Sequence, residues 1–301
     1  MKKRILSVGE IIWDVYPEKQ VIGGAPLNFA AHAARLGAES SLLSAVGEDA
    51  LGDAALRALE NFGVGTAWVG RNARPTGQCT VSLDANGVPH YDVLRDMAYD
   101  HIRLTPQAQA DIRASRFDAL YFGTLIQRAP ESRAALRQIA ADCRPETVFC
   151  DVNLRPGCYD AESVRFCLEQ ATVLKVSMEE EPALRALGLY AVTGDTPRGI
   201  ARALAERFGQ LRTVLLTLGK DGAYGYRTEN GEACFQPAVG ERVVSTVGAG
   251  DSFSAAFLTA HLSGEPLADC MRKAALVSGF VVAHTEAVPE YPASLYDALR
   301  K

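Results

Sequence analysis

The residues best suited to chemistry in this chain are 245–254, STVGAGDSFS. A Gly-Ala-Gly turn there ends in a carboxylate, Asp251, at the entry to an apolar helix with Phe253, Ala256, Phe257 and Ala260. Gly248 and Gly250 accept backbone angles that a Cβ resists, so successive N–H groups can face one concavity. That concavity falls at a helix N-terminus, where unpaired N–H groups and the helix dipole favour an anion. A carboxylate beside an anion cradle suits proton exchange with whatever attacks the anion. The chemistry implied is phosphoryl transfer, with Asp251 as the base. Simple capping accounts for an Asp in a first helical turn, worth roughly 0.3–1 kcal/mol, but leaves the glycines unexplained.

A second glycine-rich helix entry spans 23–37, GGAPLNFAAHAARLG. Gly23 and Gly24 allow a ligand close to the backbone, and Pro26 cannot extend a sheet ladder. Asn28 offers a donor and an acceptor at the start of an Ala-rich helix, either to a ligand or as a plain cap.

These segments need a scaffold. Apolar runs at Ile5–Val8, Ser41–Val46, Ala119–Phe122, Thr147–Asp151, Val173–Val176 and Val214–Leu218 read as strands. Helices are expected at Asn28–Leu36, Leu51–Phe62, Glu131–Cys143, Ala161–Glu169, Thr196–Phe208 and Asp251–Leu262. Such alternation implies an α/β fold with a mainly parallel central sheet flanked by helices. Sites in such folds lie outside the carboxyl ends of the strands. Two stretches break the rhythm: Ile11–Ile22, and Thr76–Leu94, a hairpin turning at Ala85-Asn86-Gly87. Together they suggest a small β-sheet lid. The expected division is a large α/β nucleotide- and sugar-binding domain over 1–10, 26–68 and 103–301, with the lid at 11–25 and 69–102.

Composition excludes several classes. With 301 residues, 48% of them apolar, the chain can bury a large core. A formal net charge of −5 without a basic run argues against nucleic acid or an anionic membrane as partner. No run nears the roughly 18 apolar residues of a membrane span, and the first ten residues are too broken for a secretion signal. Seven cysteines without a CxxC pair read as reduced thiols in a cytoplasmic protein. The five histidines are scattered, so a protein-built metal site is not expected. Neither a GxxxxGK[ST] loop nor a strand-linked GxGxxG is present.

GGAPLNFAAHAARLG followed far downstream by STVGAGDSFSAAF resembles the paired signatures of the ribokinase-like sugar kinases, the PfkB family. GEIIWDVYP, PTGQCTVSLDANGVPHYDV, RDMAYDHI, DVNLRPGCY, LKVSMEEE and LTLGKDGAYGY are similar, in order, to stretches of bacterial fructokinases. The resemblance implies a catalytic Asp251 with anion-hole amides at Gly248, Ala249 and Gly250. It implies a sugar site from Asp14, Gly23, Gly24, Asn28, Asn153 and Arg155, with Gln127 reaching in from a neighbouring loop. A nucleotide site follows from Lys175, Ser177, Thr217, Gly219 and Gly222, and Glu180 becomes an indirect ligand of Mg²⁺. Plainer readings stand beside these: Asp14 as a solvent-facing edge residue, Arg155 in a surface ion pair, Lys175 as the polar end of its strand.

Three positions depart from the pattern. Ser245 stands where the family has Asp, Ser177 where it has Asn, and Glu286-Ala287 where it has Gly-Ala. Ser245 and Glu286 fall in segments associated with a monovalent cation, so a role for K⁺ rests on backbone carbonyls alone. The expected reaction is ATP-dependent phosphorylation of a primary sugar hydroxyl, with D-fructose as the sugar and fructose 6-phosphate as product. 2-Keto-3-deoxygluconate kinase, ribokinase and nucleoside kinase are the alternatives within that chemistry, and a non-catalytic sugar sensor lies outside it. A homodimer formed through the lid is a further expectation.

Overall fold

A computed structural model describes residues 2–83, 89–240 and 242–301. The expected Ala85-Asn86-Gly87 turn lies outside the described residues. The larger sheet has nine strands: β1 (Arg4–Val8), β4 (Glu39–Gly47), β5 (Gly65–Asn72), β8 (Ala119–Phe122), β9 (Thr147–Asp151), β10 (Val173–Ser177), β11 (Thr213–Thr217), β12 (Ala223–Arg227) and β13 (Ala233–Gln236). Their order is β13-β12-β11-β10-β9-β8-β1-β4-β5. All neighbours pair in parallel except at β11–β12 and β12–β13. The middle strands are buried on both faces, as the continuous apolar runs require.

Alternation along those strands divides the core. Leu6, Val8, Leu120, Phe122, Leu174 and Val214 point to one face. There they meet α3 (Pro106–Ser115), α4 (Pro130–Cys143), α5 (Ala161–Gln170) and α7 (Pro197–Arg207) through Ile112, Leu136, Leu168 and Leu204. Ile5, Ala119, Tyr121, Phe149 and Leu215 point to the other. They meet α1 (Ala25–Arg35), α8 (Ala249–Leu262), α9 (Leu267–Val281) and α10 (Ala293–Arg300) through Phe29, Phe257, Met271 and Leu295. The remaining helices are α2 (Ala50–Asn61), capped by the Asp49 carboxylate on Gly52 N–H at 2.8 Å, and the short α6 (Glu181–Ala186).

A separate four-stranded sheet holds β2 (Ile12–Val15), β3 (Gln20–Gly23), β6 (Gly77–Leu83) and β7 (Pro89–Val93), in the order β3-β2-β6-β7. It starts its second half at Gly77. Residues 69–72, expected in the lid, instead belong to β5, whose pairing with β4 keeps them in the large sheet. The small sheet is tied down at its base. Trp13 Nε1 donates to the Leu51 carbonyl at 3.2 Å, and Thr76 N–H donates to Asp49 at 2.8 Å. Arg128 is 3% exposed; it grips Asp100 through two 2.8 Å bonds and also donates to the Leu94 carbonyl.

In open α/β sheets ligands bind where the strand order reverses. From β1 the chain moves outward through β4 and β5, then returns to place β8 on the other side of β1. That reversal opens a crevice outside the carboxyl ends of β1 and β8.

Candidate active site

The two glycine-rich helix entries meet at this crevice. Asn28, in the first turn of α1, donates from Nδ2 to Asp251 Oδ2 at 2.9 Å across 223 residues of sequence. Asp251 lies in the first turn of α8, which starts from Gly248 in the left-handed region at φ 78°. A Cβ on Gly248 would lie 2.6 Å from the Ala287 carbonyl oxygen, so this position accepts no side chain.

Burial pushes the Asp251 carboxyl from 3.8 up to about 6. The Asn28 bond and the charges of Lys175 and Arg155 pull it back, and Asp151 adds to the rise. A base with its pKa just below neutral is ionised at pH 7 yet still basic enough to take a proton.

Of the three amides expected to hold an anion, the structure engages one. Ala249 N–H, expected among the anion-hole amides, donates to the Thr246 carbonyl at 3.2 Å. Gly248, Gly250 and Asp251 N–H have no acceptor among the described residues, as the first turn of a helix leaves them. Beneath them lies Lys175, whose Nζ would be 3.1 Å from a Cβ at Gly250. Lys175 is 8% exposed and its ammonium contacts Asp151 Oδ2 at 2.6 Å. Burial alone would lower its pKa, but Asp151 outweighs it and raises the group above 10.5, so the ammonium stays charged. Lys175 is thus more than the polar end of a strand.

Of the residues expected to bind a sugar, Asp14, Gly23 and Asn28 lie together beside Asp251. Asp14 sits mid-β2, paired between Val21 and Cys79, and burial raises its carboxyl to about 6. A Cβ on Gly23 would lie 3.8 Å from Asp14 Oδ2 and 3.9 Å from Asn28 Nδ2. The missing side chain therefore leaves a hollow walled by a carboxylate and an amide. Asn28 Oδ1, fully buried, has no hydrogen-bond partner among the described residues. Gly24, at φ 106°, has its Cα against the Glu10 carbonyl, 2.6 Å from where a Cβ would be. Asn153 takes φ 42° directly after β9, a sharp turn that Asn tolerates. Arg155 follows, exposed and without an ion pair among the described residues, and its charge acts on Asp14, Glu10 and Asp251.

Gln127 does not join them. Its side chain is fully buried, and Nε2 donates to the Ser163 carbonyl at 3.0 Å and contacts Cys167 Sγ at 3.1 Å. The expectation that it reaches the sugar is corrected: packing against α5 uses the amide. Gly222 is likewise explained by the backbone, since a Cβ there would lie 2.2 Å from the Gln236 carbonyl.

Of the residues expected near a nucleotide, Ser177 and Glu180 cap each other. Ser177 N–H donates to Glu180 Oε2 at 2.8 Å, and Glu180 N–H donates to Ser177 Oγ at 3.2 Å. Glu180 Oε1 accepts from Leu154 N–H at 2.6 Å, linking the ends of β9 and β10. Thr217 and Gly219 (φ 57°) stand at the carboxyl end of β11, with open space at Gly219. Among the described residues no group of three or more His, Cys, Asp or Glu could hold a metal. Ser245 Oγ accepts from Val247 N–H at 3.2 Å, and the Ala287 carbonyl accepts from His32, so both segments raised for a monovalent cation are engaged within the protein.

Two residues of the site escape the sequence reading. Glu10 is 5% exposed, accepts from Ala25 N–H at 3.1 Å and is raised by burial to about 7. Asp151, the partner of Lys175, also receives Ser254 Oγ at 3.2 Å. In sequence each is one charged residue at the end of an apolar run.

The family model described as pfkB family carbohydrate kinase matches residues 4–293. A fructokinase of Klebsiella pneumoniae is 30% identical, the match covering 95% of this chain and 92% of that one. An ATP-dependent 6-phosphofructokinase of Thermoanaerobacterium thermosaccharolyticum is 26% identical, covering 98% and 94%. The fructokinase of Xylella fastidiosa, solved with bound ATP, superposes with a TM-score of 0.84 at 21% identity, covering 99% of this chain and 98% of that one.

Proposed function

The chain belongs to the pfkB family of carbohydrate kinases, phosphotransferases that act on a sugar hydroxyl, and from that premise we propose that it is a fructokinase. It transfers the γ-phosphate of ATP to the primary hydroxyl of D-fructose, giving fructose 6-phosphate and ADP. The observation that carries the catalytic reading is the 2.9 Å contact between Asn28 and Asp251. That contact supports the reading because an amide and a carboxylate so close would both be within reach of one sugar hydroxyl.

In the proposed mechanism Asp14 and Asn28 hold sugar hydroxyls around the hollow at Gly23, and Gly24 lets the loop approach. Asp251 takes the proton of the attacking hydroxyl. The N–H groups of Gly248 and Gly250 and the N-terminus of α8 receive the charge on the phosphoryl group, with the Lys175 ammonium below. Such catalysis is mainly positioning and electrostatic stabilisation. Thr217 and Gly219 border the nucleotide. Mg²⁺ would fit this donor set only as an ion brought by the nucleotide, whose charge it would neutralise, with Glu180 as the residue that would face it indirectly. The small sheet, as a lid, limits hydrolysis of ATP by excluding water.

Fructose is supported by GEIIWDVYP, MAYDHI and DVNLRP taken together, and by the 30% identical fructokinase. One observation favours a second reading, 2-keto-3-deoxygluconate kinase: Arg155 is exposed, with no ion pair among the described residues, and its guanidinium suits a carboxylate on the sugar. A panel of fructose, 2-keto-3-deoxygluconate, ribose and nucleosides, assayed for ADP release with MgATP, separates them. Fructose should give the highest kcat/KM; a sugar acid doing so would replace the proposal. Sugar binding without ADP release anywhere in the panel would make the protein a sensor.

The assembly proposed is a homodimer paired through an edge of the small sheet, β3 or β7, and light scattering reads it directly. Residence in the cytoplasm is proposed from the seven unpaired cysteines.

A further inference from the structure

One buried polar residue of α1 has no part in the mechanism above. His32 is fully buried, with Nδ1 2.6 Å from the Tyr291 hydroxyl and Nε2 2.9 Å from the Ala287 carbonyl. A carbonyl can only accept, so Nε2 carries the proton and Nδ1 accepts from Tyr291. Burial drops the imidazole to about 4, which keeps this neutral tautomer at physiological pH.

Its position gives the arrangement meaning. His32 lies one helical turn beyond Asn28, so both side chains leave the same face of α1. Asn28 holds the base Asp251. Four residues on, His32 holds Ala287, the residue against which Gly248 packs without room for a Cβ. One rigid helix thus grips both the base and the wall behind the phosphoryl-binding turn.

We propose that His32 is a positioning residue for phosphoryl transfer, acting through the Ala287 carbonyl to fix the Gly248 turn relative to Asp251. This rests on the assignment of that turn and that base in the proposed function. A core histidine serving only stability would need its two hydrogen bonds equally. A positioning residue needs the Nε2 donor above the Nδ1 acceptor, and side-chain amides can separate the two. A Gln amide reaches about as far as Nε2, and an Asn amide about as far as Nδ1.

The test compares His32→Gln, His32→Asn and Tyr291→Phe with wild type, using purified full-length protein and the best sugar of the panel. His32→Gln should keep kcat within about threefold, because it can still donate to Ala287. His32→Asn should lose about tenfold or more in kcat, with both KM values within about twofold, since neither substrate is touched. Tyr291→Phe should resemble His32→Gln. Melting temperatures of both His32 variants are measured alongside and should fall together. Equal kcat losses in the Gln and Asn variants, tracking the melting temperatures, would reduce His32 to a packing residue. Failure of the underlying reading looks different: wild type itself would lack ADP release, or Asp251→Asn would keep it.

Discussion

Asp251→Asn should slow the enzyme and stabilise the fold, and both effects follow from one environment. The substitution is nearly isosteric, and an Asn carbonyl can still accept the Asn28 bond. The charge is what disappears. In the folded chain burial raises the Asp251 carboxyl from an ordinary 3.8 to about 6. At about 1.4 kcal/mol per pH unit, keeping it ionised costs the fold about 3 kcal/mol at pH 8. A carboxyl with a raised folded-state pKa costs nothing at pH well below 3.8, and its cost grows as pH climbs through 6. At pH 5 the cost is roughly half the value at pH 8. The variant should therefore melt on the order of 5 °C above wild type at pH 8, and show about half that gain at pH 5. In the same samples kcat should fall about 10²–10⁴-fold, with the substrate KM values little changed. Differential scanning calorimetry at the two pH values and a coupled ADP assay supply the measurements. A melting gain independent of pH would refute the electrostatic reasoning, and retention of more than about a tenth of kcat would remove Asp251 as the base.

Other substitutions probe neighbouring parts of the site. Asp14→Ala should raise the sugar KM far more than the ATP KM, and equal effects on both would take Asp14 out of the sugar site. Gly23→Ala is a finer probe: its Cβ would make only ordinary contacts, at 3.8 and 3.9 Å. The melting temperature should hold while the sugar KM rises at least tenfold, because the methyl fills the hollow; unchanged KM would place the sugar elsewhere. Lys175→Met strands the Asp151 carboxylate, whose side chain is 2% exposed. Denaturant titration should show a loss of about 3–5 kcal/mol, and adding Asp151→Asn should recover more than half of it.

Sequence and structure agree where a local pattern has only one physical outlet. The apolar runs of β1 and β8–β11 can be satisfied only as central strands of a parallel sheet. Gly248 needs its left-handed helix entry, at φ 78°. Gly250, by contrast, has ordinary helical backbone within α8, and its lack of a Cβ matters only for the close approach of Lys175. Information fails where the deciding partner is remote. Nothing in Gly-Ala-Gly shows that the Thr246 carbonyl takes the middle amide. Gln127 is polar in a loop near the sheet edge, which suits a ligand as well as a packing bond; Ser163 and Cys167, over thirty residues away, decide it. β5 alternates like a lid strand, and only its pairing with β4 assigns it to the large sheet. Glu10 and Asp151 read as polar strand ends because burial is a property of the assembled sheet.

That assembled sheet also explains why the two motifs carry charge chemistry together. The side chains of Asn28 and Asp251 both come from first helical turns, so their contact means that the N-termini of α1 and α8 converge. Each brings the positive end of a helix dipole to the same crevice. Lys175 and Arg155 add two cationic side chains beside or below it. Against them stand Asp251, Asp14 and Glu10, with carboxyls raised to about 6, 6 and 7 by burial. A fold that needed only neutrality would not bury three carboxyls beside two helix N-termini. Asp151 already matches the Lys175 charge, so on the proposed reading the amides of the α8 N-terminus are what receive a polyphosphate, and sugar hydroxyls are the donors the carboxyls take. On that reading the phosphate would lie at the amide end and the sugar hydroxyl at the carboxyl end, with Asp251 between them.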